Sequence, residues 1–297
     1  MLINTANLRT MGVAFNAAFK QGLATAKPDY QRFTMTVPST TKSNEYGWLG
    51  STSRFREWIG DRVIQALRAH GYSIKNKKFE NTVGVDADDI EDDNLGIYTP
   101  RFQQLGKDAA DHPGQLIYDL LKNSFTTICY DGQYFFDTDH PVLQADGTEA
   151  AVSNYGGGSG PAWFLLDTTQ IIKPFILQTR RDYRFTAMDN PDDPNVFMRD
   201  EFLYGADARL NVGVALWQLA YASKQPLTED NLNAAYDAMR SFKGDNGKPL
   251  DINPDLLIVP PSLRQTAKKL LENENNASGE SNSTRNLVDY QDSAYLS

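Results

Sequence analysis

One cysteine in 297 residues, Cys129, leaves the chain without an intramolecular disulfide, so apolar burial and hydrogen bonding must hold the fold. That excludes disulfide-stapled scaffolds and four-cysteine zinc sites. The length allows one large or two modest domains, and 40% hydrophobic with 11% aromatic side chains is enough to fill a sizeable core. Met1-Leu2-Ile3-Asn4-Thr5 is not a basic region followed by an apolar run. No stretch elsewhere approaches the roughly 18 to 20 apolar residues of a membrane span, so a soluble, unsecreted chain is expected. With 29 Lys+Arg against 38 Asp+Glu the net charge is −9, which argues against a dedicated nucleic-acid binder. The densest basic cluster is Lys75, Lys77 and Lys78, and it is short.

Helical and alternating patterns are interleaved along the chain. Asn4 or Thr5 caps a helix with Leu8, Met11, Phe15 and Phe19 on one stripe, ending near Gln21-Gly22. Phe33 to Val37 reads as a strand stopped by Pro38, and Trp58 to Ala69 as a helix. Apolar parity switches between Tyr72/Ile74 and Phe79/Val83/Val85, which requires a hairpin or bulge at Asn76. Thr99-Pro100 opens a long amphipathic run through Leu121, which Pro113-Gly114 should kink or split. Asp131-Gly132 predicts a tight hairpin between Thr126–Tyr130 and Tyr134–Phe136. Strands are expected at 163–166, 171–177, 183–185 and 196–203; the segment 205–222 carries both strand and helix signals. Thr228 caps a helix closed by Lys243-Gly244, and Leu256–Val259 is a buried strand feeding a helix from Ser262 to Leu271. Asn273 to Arg285 has no apolar face and reads as a surface loop.

Few residues offer chemistry. Asp137-Thr138-Asp139-His140 has the ligand types of a metal or acid–base site, but a metal wants three or four ligands with outer-shell support, and His70 and His112 are far away in sequence. A turn ahead of Pro141 is the favoured reading, with a metal-dependent hydrolase using Asp137, Asp139 and His140 as the enzymatic alternative. The acidic run Asp86 to Asp93 lacks the glycine and closing glutamate of a calcium loop. Gly156-Gly157-Gly158 lacks the lysine of a phosphate loop and reads as the most flexible stretch. Cys129, inside an apolar run, reads as a structural thiol. No catalytic, cofactor or metal residue is therefore assigned, and a structural or assembly subunit is expected.

Several motifs, in order along nearly the whole chain, carry a resemblance. They include Tyr46-Gly47-Trp48-Leu49-Gly50, Phe55-Arg56-Glu57-Trp58-Ile59-Gly60-Asp61-Arg62, Ile74 to Glu80, Cys129-Tyr130-Asp131-Gly132, and Phe136-Asp137-Thr138-Asp139-His140-Pro141. Ala162-Trp163-Phe164-Leu165, Tyr204 to Arg209 and Leu256 to Pro261 continue the series. In these the chain resembles the major head subunit of Mu-like phages and prophages, the gpT family.

The resemblance implies an α+β major capsid protein of the Hong Kong 97 type. Its parts would be an N-terminal arm (1–33), an extended E-loop region (34–85), a peripheral domain with a long spine helix and long β segments (86–225), and an axial domain (226–297). It implies hexamers and pentamers of an icosahedral shell around double-stranded DNA, located in the virion and assembled in the host cytoplasm. Implied partners are the chain itself, a scaffold or protease, a portal and decoration proteins, with no membrane and no cofactor; another virion component, a decoration or tail protein, is the other alternative. Trp48, Phe55 and Trp58 are candidate interface anchors, because aromatics on extended segments bury much area at low entropic cost. Lys75, Lys77 and Lys78 join them as candidate interface residues.

Overall fold

The computed structural model describes residues 2–49, 71–92, 95–144, 146–244, 247–275 and 279–297. Among the described residues, nineteen α-helices and β-strands follow one another in an α+β order. Helix α1 (Thr5–Leu23) is followed by strands β1 (Thr34–Pro38), β2 (Ser43–Glu45), β3 (Ser73–Lys75) and β4 (Lys77–Asp86). Helices α2 (Ala87–Glu91) and α3 (Tyr98–Asn123) lead to β5 (His140–Leu143), β6 (Glu149–Val152), β7 (Tyr155–Gly158), β8 (Trp163–Leu166) and β9 (Phe175–Met188). Then come α4 (Pro194–Arg199), β10 (Glu201–Val214), β11 (Ala220–Lys224), α5 (Glu229–Arg240), β12 (Leu256–Val259), α6 (Arg264–Glu272) and β13 (Asp289–Asp292).

Among the described residues two larger sheets organise these elements, and β2-β3 and β5-β6 form separate two-stranded sheets. One larger sheet has the order β1-β9-β10-β4, with β1 parallel to β9 and the other pairs antiparallel. The second has the order β13-β12-β8-β11-β7, parallel at both edges and antiparallel inside. Trp163, Phe164, Leu165 and Leu166 of β8 and Leu256 to Val259 of β12 are buried on both faces, which is why they read as unbroken apolar runs. In β4 and β10 the apolar residues alternate instead. Val83, Val85, Phe202, Tyr204 and Ala206 face inward onto α1 and α3, leaving the opposite face of that sheet to solvent.

Helices α1 and α3 approach closely because two glycines permit it. A Cβ on Gly22 would lie 1.8 Å from the Gln103 carbonyl oxygen, and one on Gly106 would lie 2.0 Å from the Phe19 carbonyl oxygen. Around this contact Phe15 stacks on Phe102 at 4.2 Å and meets Tyr204 edge-on at 5.1 Å.

Several expectations hold. Asn4 caps α1 by accepting from the Asn7 N–H at 2.9 Å, Thr228 caps α5, and β1, β8 and β12 lie where the pattern put them. The chain breaks between β3 and β4 at Asn76, as the parity switch requires. The two strands join different sheets rather than forming a hairpin with each other.

Others are corrected. Helix α3 runs unbroken through Pro113: its buried stripe of Phe102, Leu105, Ala109, Ile117, Tyr118 and Leu121 spans both sides of the proline. Burial on both flanks outweighs the roughly 3 kcal/mol that an interior proline costs. The Gly156–Gly158 stretch is not a loose loop but edge strand β7, paired with β11. Gly157 and Gly158 have φ of 71° and 96°, and a Cβ on Gly158 would lie 2.3 Å from the Lys224 carbonyl carbon, so these glycines serve conformation and close approach. The strands expected at 171–177 and 183–185 are one strand beginning at Phe175, and Val196 lies in α4 rather than in a strand. The hairpin around Asp131-Gly132 is reduced to a single bridge, Ile128 to Tyr134. The described part of the Asn273–Arg285 tract is a largely exposed loop, as expected, but it is anchored by buried Asn282 and Thr284, which both donate to the Leu270 carbonyl and close the end of α6, and β13 follows it unforeseen. The helix expected over Trp58–Ala69 lies outside the described residues.

Gly106→Ala should cost about 1–3 kcal/mol of stability, because the new methyl group must push α1 off α3. Gly96→Ala, where nothing lies within 4 Å of the added carbon, should stay within about 0.5 kcal/mol. Urea denaturation of the two variants checks this, and equal midpoints would show that the helix contact is not as tight as drawn.

Candidate assembly surfaces

Within the acid–histidine cluster, His140 and Asp137 serve the protein's own architecture, and Asp139 is exposed. His140, the first residue of β5, is fully buried, with its ring stacked on Trp217 at 4.0 Å between centroids and 10° between planes. Its Nδ1 lies 2.7 Å from Asp131 Oδ2 and its Nε2 lies 3.2 Å from Asn154 Oδ1. The Asn154 amide is oriented by its own donors: Nδ2 faces the carbonyls of Phe135, Trp217 and Ala220, at 2.8, 3.3 and 3.2 Å. Its Oδ1 is left to accept from His140 Nε2 and from the Asp137 backbone N–H. Both ring nitrogens are therefore engaged inside the fold.

Asp137 likewise serves backbone, accepting from the N–H groups of Tyr134 and Thr138 at 3.1 and 2.8 Å. A hydrogen bond to Asp137 and the proximity of its carboxylate raise the Asp139 carboxyl above its usual range. Cys129 is buried, with Sγ 3.7 Å from the Ala215 carbonyl oxygen, and burial pushes its thiol up, away from thiolate chemistry.

A second histidine borders a cleft. His112 of α3 contacts Phe79 edge-on at 4.5 Å and hydrogen-bonds the Tyr183 hydroxyl through Nδ1. The cleft has a volume of about 250 Å³ and is also lined by Glu80, Asp108 and Gln115. Burial lowers the His112 pKa below its ordinary 6.5, against a smaller opposing pull from Asp119.

The candidate interface residues lie at the surface where the structure describes them. Trp48 is 36% exposed and meets Tyr46 edge-on at 6.1 Å; Tyr46 is buried and donates to Gln178 Oε1 at 2.8 Å. Lys75, Lys77 and Lys78 are exposed, at the end of β3 and the start of β4. Phe55 and Trp58 lie outside the described residues. One exposed group escaped sequence reading: Phe197 and Met198, 88% and 74% exposed, on the short helix between β9 and β10. Their sequence neighbourhood resembles the start of a strand, and only the connection geometry turns them outward.

His140, Asp137 and Cys129 are thus engaged within the fold, while large side chains such as Phe197 and Met198 stand exposed at element ends, as in a subunit that works through its surfaces. The sequence and structural comparisons name the class. The model of the family described as "Mu-like prophage major head subunit gpT" matches residues 8–296, and the chain belongs to that family. It is 46% identical over 285 residues to the major capsid protein of Escherichia phage Mu, covering 94% of this chain and 93% of that one. It is also 46% identical over 274 residues to the Mu-like prophage FluMu major head subunit of Haemophilus influenzae, covering 90% and 89%. Among solved structures, a chain of the procapsid of bacteriophage JBD30 superposes with a TM-score of 0.88 at 47% identity, covering 99% of this chain and 100% of that one. The JBD30 capsid gives a TM-score of 0.79 at 37% identity, covering 94% of each.

Two outcomes follow from the histidines. His140→Ala should lower stability by roughly 2–4 kcal/mol, through the lost ring packing and the unpaired Asp131 carboxylate, while EDTA should leave the unsubstituted protein's Tm unchanged. A Tm that falls on chelation would restore a metal role for the cluster. For His112, the unfolded chain binds more protons than the folded one between 6.5 and the lower folded value, so stability is full above 6.5 and declines as pH falls through that window. His112→Gln should flatten this part of a Tm-against-pH curve, and an unchanged slope would assign it to other groups.

Proposed function

We propose that this chain builds the head of a Mu-like phage as its major capsid protein, copies of it packing into an icosahedral shell around double-stranded DNA. The observation that carries the reading is near-complete superposition on a procapsid chain, TM-score 0.88 over 99% of this chain, together with 46% identity to the phage Mu capsid protein. The finer reading is a Hong Kong 97-type subunit: an N-terminal arm over 1–33, an E-loop region over 34–85, a peripheral domain over 86–225 and an axial domain over 226–297. Support for the peripheral domain is that α3, 26 residues long, lies along the inner face of the β4-β10-β9 sheet as a spine. Support for the axial domain is that β12 and β13 pair with each other while α5 and α6 pack into the same core, on a sheet that β7, β8 and β11 of the preceding residues complete.

Shell subunits hold together through many contacts of modest strength, so that misplaced copies can leave. Trp48, Lys75, Lys77 and Lys78 are exposed and available for such contacts, and Phe55 and Trp58 are assigned the same role. Hexamers and pentamers, a scaffold or protease, a portal and assembly in the host cytoplasm belong to this reading. Decoration does too: one JBD30 capsid is described as decorated with minor capsid protein trimers. No helix among the described residues is long and apolar enough to cross a membrane.

Purification of the chain, alone and with its neighbouring phage gene products, followed by sedimentation and negative-stain electron microscopy, tests the proposal. Capsomers or closed shells are expected. A strict monomer under all assembly conditions would overturn it.

A further inference from the structure

The solvent face of the β4-β10-β9 sheet is electrically polarised along its length. Reading across the register, Lys78 of β4, Arg209 of β10 and Arg181 of β9 form one row. Next come Glu80, Asp207 and Arg184, where Asp207 takes both arginines, Arg184 at 2.6 Å. The middle of the face is small or apolar: Thr82, Gly205 and Thr186, then Gly84, Leu203 and Met188. The far end is acidic, Asp86 beside Glu201, continued by Asp88 and Glu91 on α2, by Asp92 just after it, and by Asp192, Asp193 and Asp200 around α4; Asp189 turns the other way, toward Gly12 of α1 and Tyr204. Arg199 is the one cation in residues 186–201 against five carboxylates. Phe197 and Met198 stand out of this acidic tip, 88% and 74% exposed.

Within one copy the two ends do not neutralise each other. Eight residues of strand separate Arg209 from Glu201, roughly 26 Å at about 3.3 Å per residue, beyond the Debye length of about 10 Å at 0.1 M salt. The field of each end is open to another molecule.

We propose that the acidic, Phe197-bearing tip of one copy docks on the basic end (Lys75, Lys78 and Arg209) of the next copy. This inference rests on the assembly reading above and names a contact within it. The partner is a second copy because the two ends are opposite in charge and lie on one face of the same chain. A head-to-tail contact of unlike patches propagates from copy to copy and closes into rings when the rotation allows. Phe197 supplies the apolar anchor, and the carboxylates and amines around it set orientation and encounter rate. A nucleic-acid role for the basic end alone is disfavoured by the acidic end on the same face.

The test uses charge reversal in the full chain, under the conditions in which the unsubstituted protein assembles. Asp88→Lys with Asp192→Lys, and separately Lys75→Glu with Lys78→Glu, should each raise the critical concentration for assembly roughly tenfold or more. Phe197→Ser should act in the same direction. All these side chains are exposed, so urea midpoints should stay unchanged. The quadruple variant, in which both ends change sign, should recover assembly, which a merely damaged fold would not do. Unaltered assembly in both double variants overturns the contact, as does failure of the quadruple variant to recover. Loss of duplex-DNA binding by the lysine variant, with assembly intact, would reassign the basic end to nucleic acid. Failure of the unsubstituted chain to assemble at all would instead overturn the reading on which this contact rests.

Discussion

The β9–β10 ladder is the element on which the rest of the molecule depends. Its pairing runs from Phe175 opposite Val214 to Met188 opposite Leu203, so a single antiparallel pair crosses both hydrophobic cores. At one end Phe175, Ile176, Leu210 and Val214 enter the larger core with Trp163 and Phe135. At the other, Phe202, Tyr204 and Phe185 close over α1 and α3. Neither core can shift relative to the other without breaking hydrogen bonds in strands 14 residues long. A subunit that must hold its shape while neighbours pull on it gains from such a continuous beam.

The ladder also carries the first part of the chain. Gln178 is fully buried at a polar junction where its amide donates to the Ile74 carbonyl at 2.9 Å and to Asn76 Oδ1 at 2.8 Å, while accepting from Tyr46. Asn76 in turn donates to Ser39 Oγ at 2.8 Å. One amide thereby fixes β1, β2 and β3 to β9 across more than 100 residues of sequence. Each group in the chain has its partner, so the burial of four polar side chains carries little penalty, whereas loss of any one would leave others unsatisfied in low dielectric.

What could be read in the sequence follows from this arrangement. Elements whose signal is local were legible: the capped, striped α1 and α5, and the fully apolar β8 and β12. Elements stabilised from a distance were not. Thr179-Arg180-Arg181-Asp182 has the composition of a loop, yet it continues β9 because Asp207 on β10 neutralises Arg181 and Arg184. The same carboxylate is held below its usual range, first by its bond to Arg184. Pro113 would stop an isolated helix and does not stop one whose first half is buried in the smaller core and whose second half is buried in the larger. The three glycines of β7 carry a loop composition because the strand needs left-handed backbone and close approach to Lys224, information that resides in the partner strand.

The candidate surfaces were legible in kind rather than in position. Lys75, Lys77 and Lys78 stand out as a run, but the meaning of Lys78 depends on Arg209 and Arg181, which only strand register brings alongside. Phe197 and Met198 gave no signal, since an exposed Phe-Met pair looks in sequence like any apolar segment. His140 is the converse case: its chemistry drew attention in sequence, and its ring is buried between Trp217, Asp131 and Asn154 with both nitrogens in hydrogen-bonding contact. A buried, fully hydrogen-bonded histidine pins the irregular segment between α3 and β5 to the second sheet, while the exposed groups at the ends of a rigid ladder remain free to meet other molecules. Assembly chemistry of this kind needs rigid placement of weakly interacting patches rather than reactive groups, because geometric closure of a shell depends on the angle between contacts more than on the strength of any one.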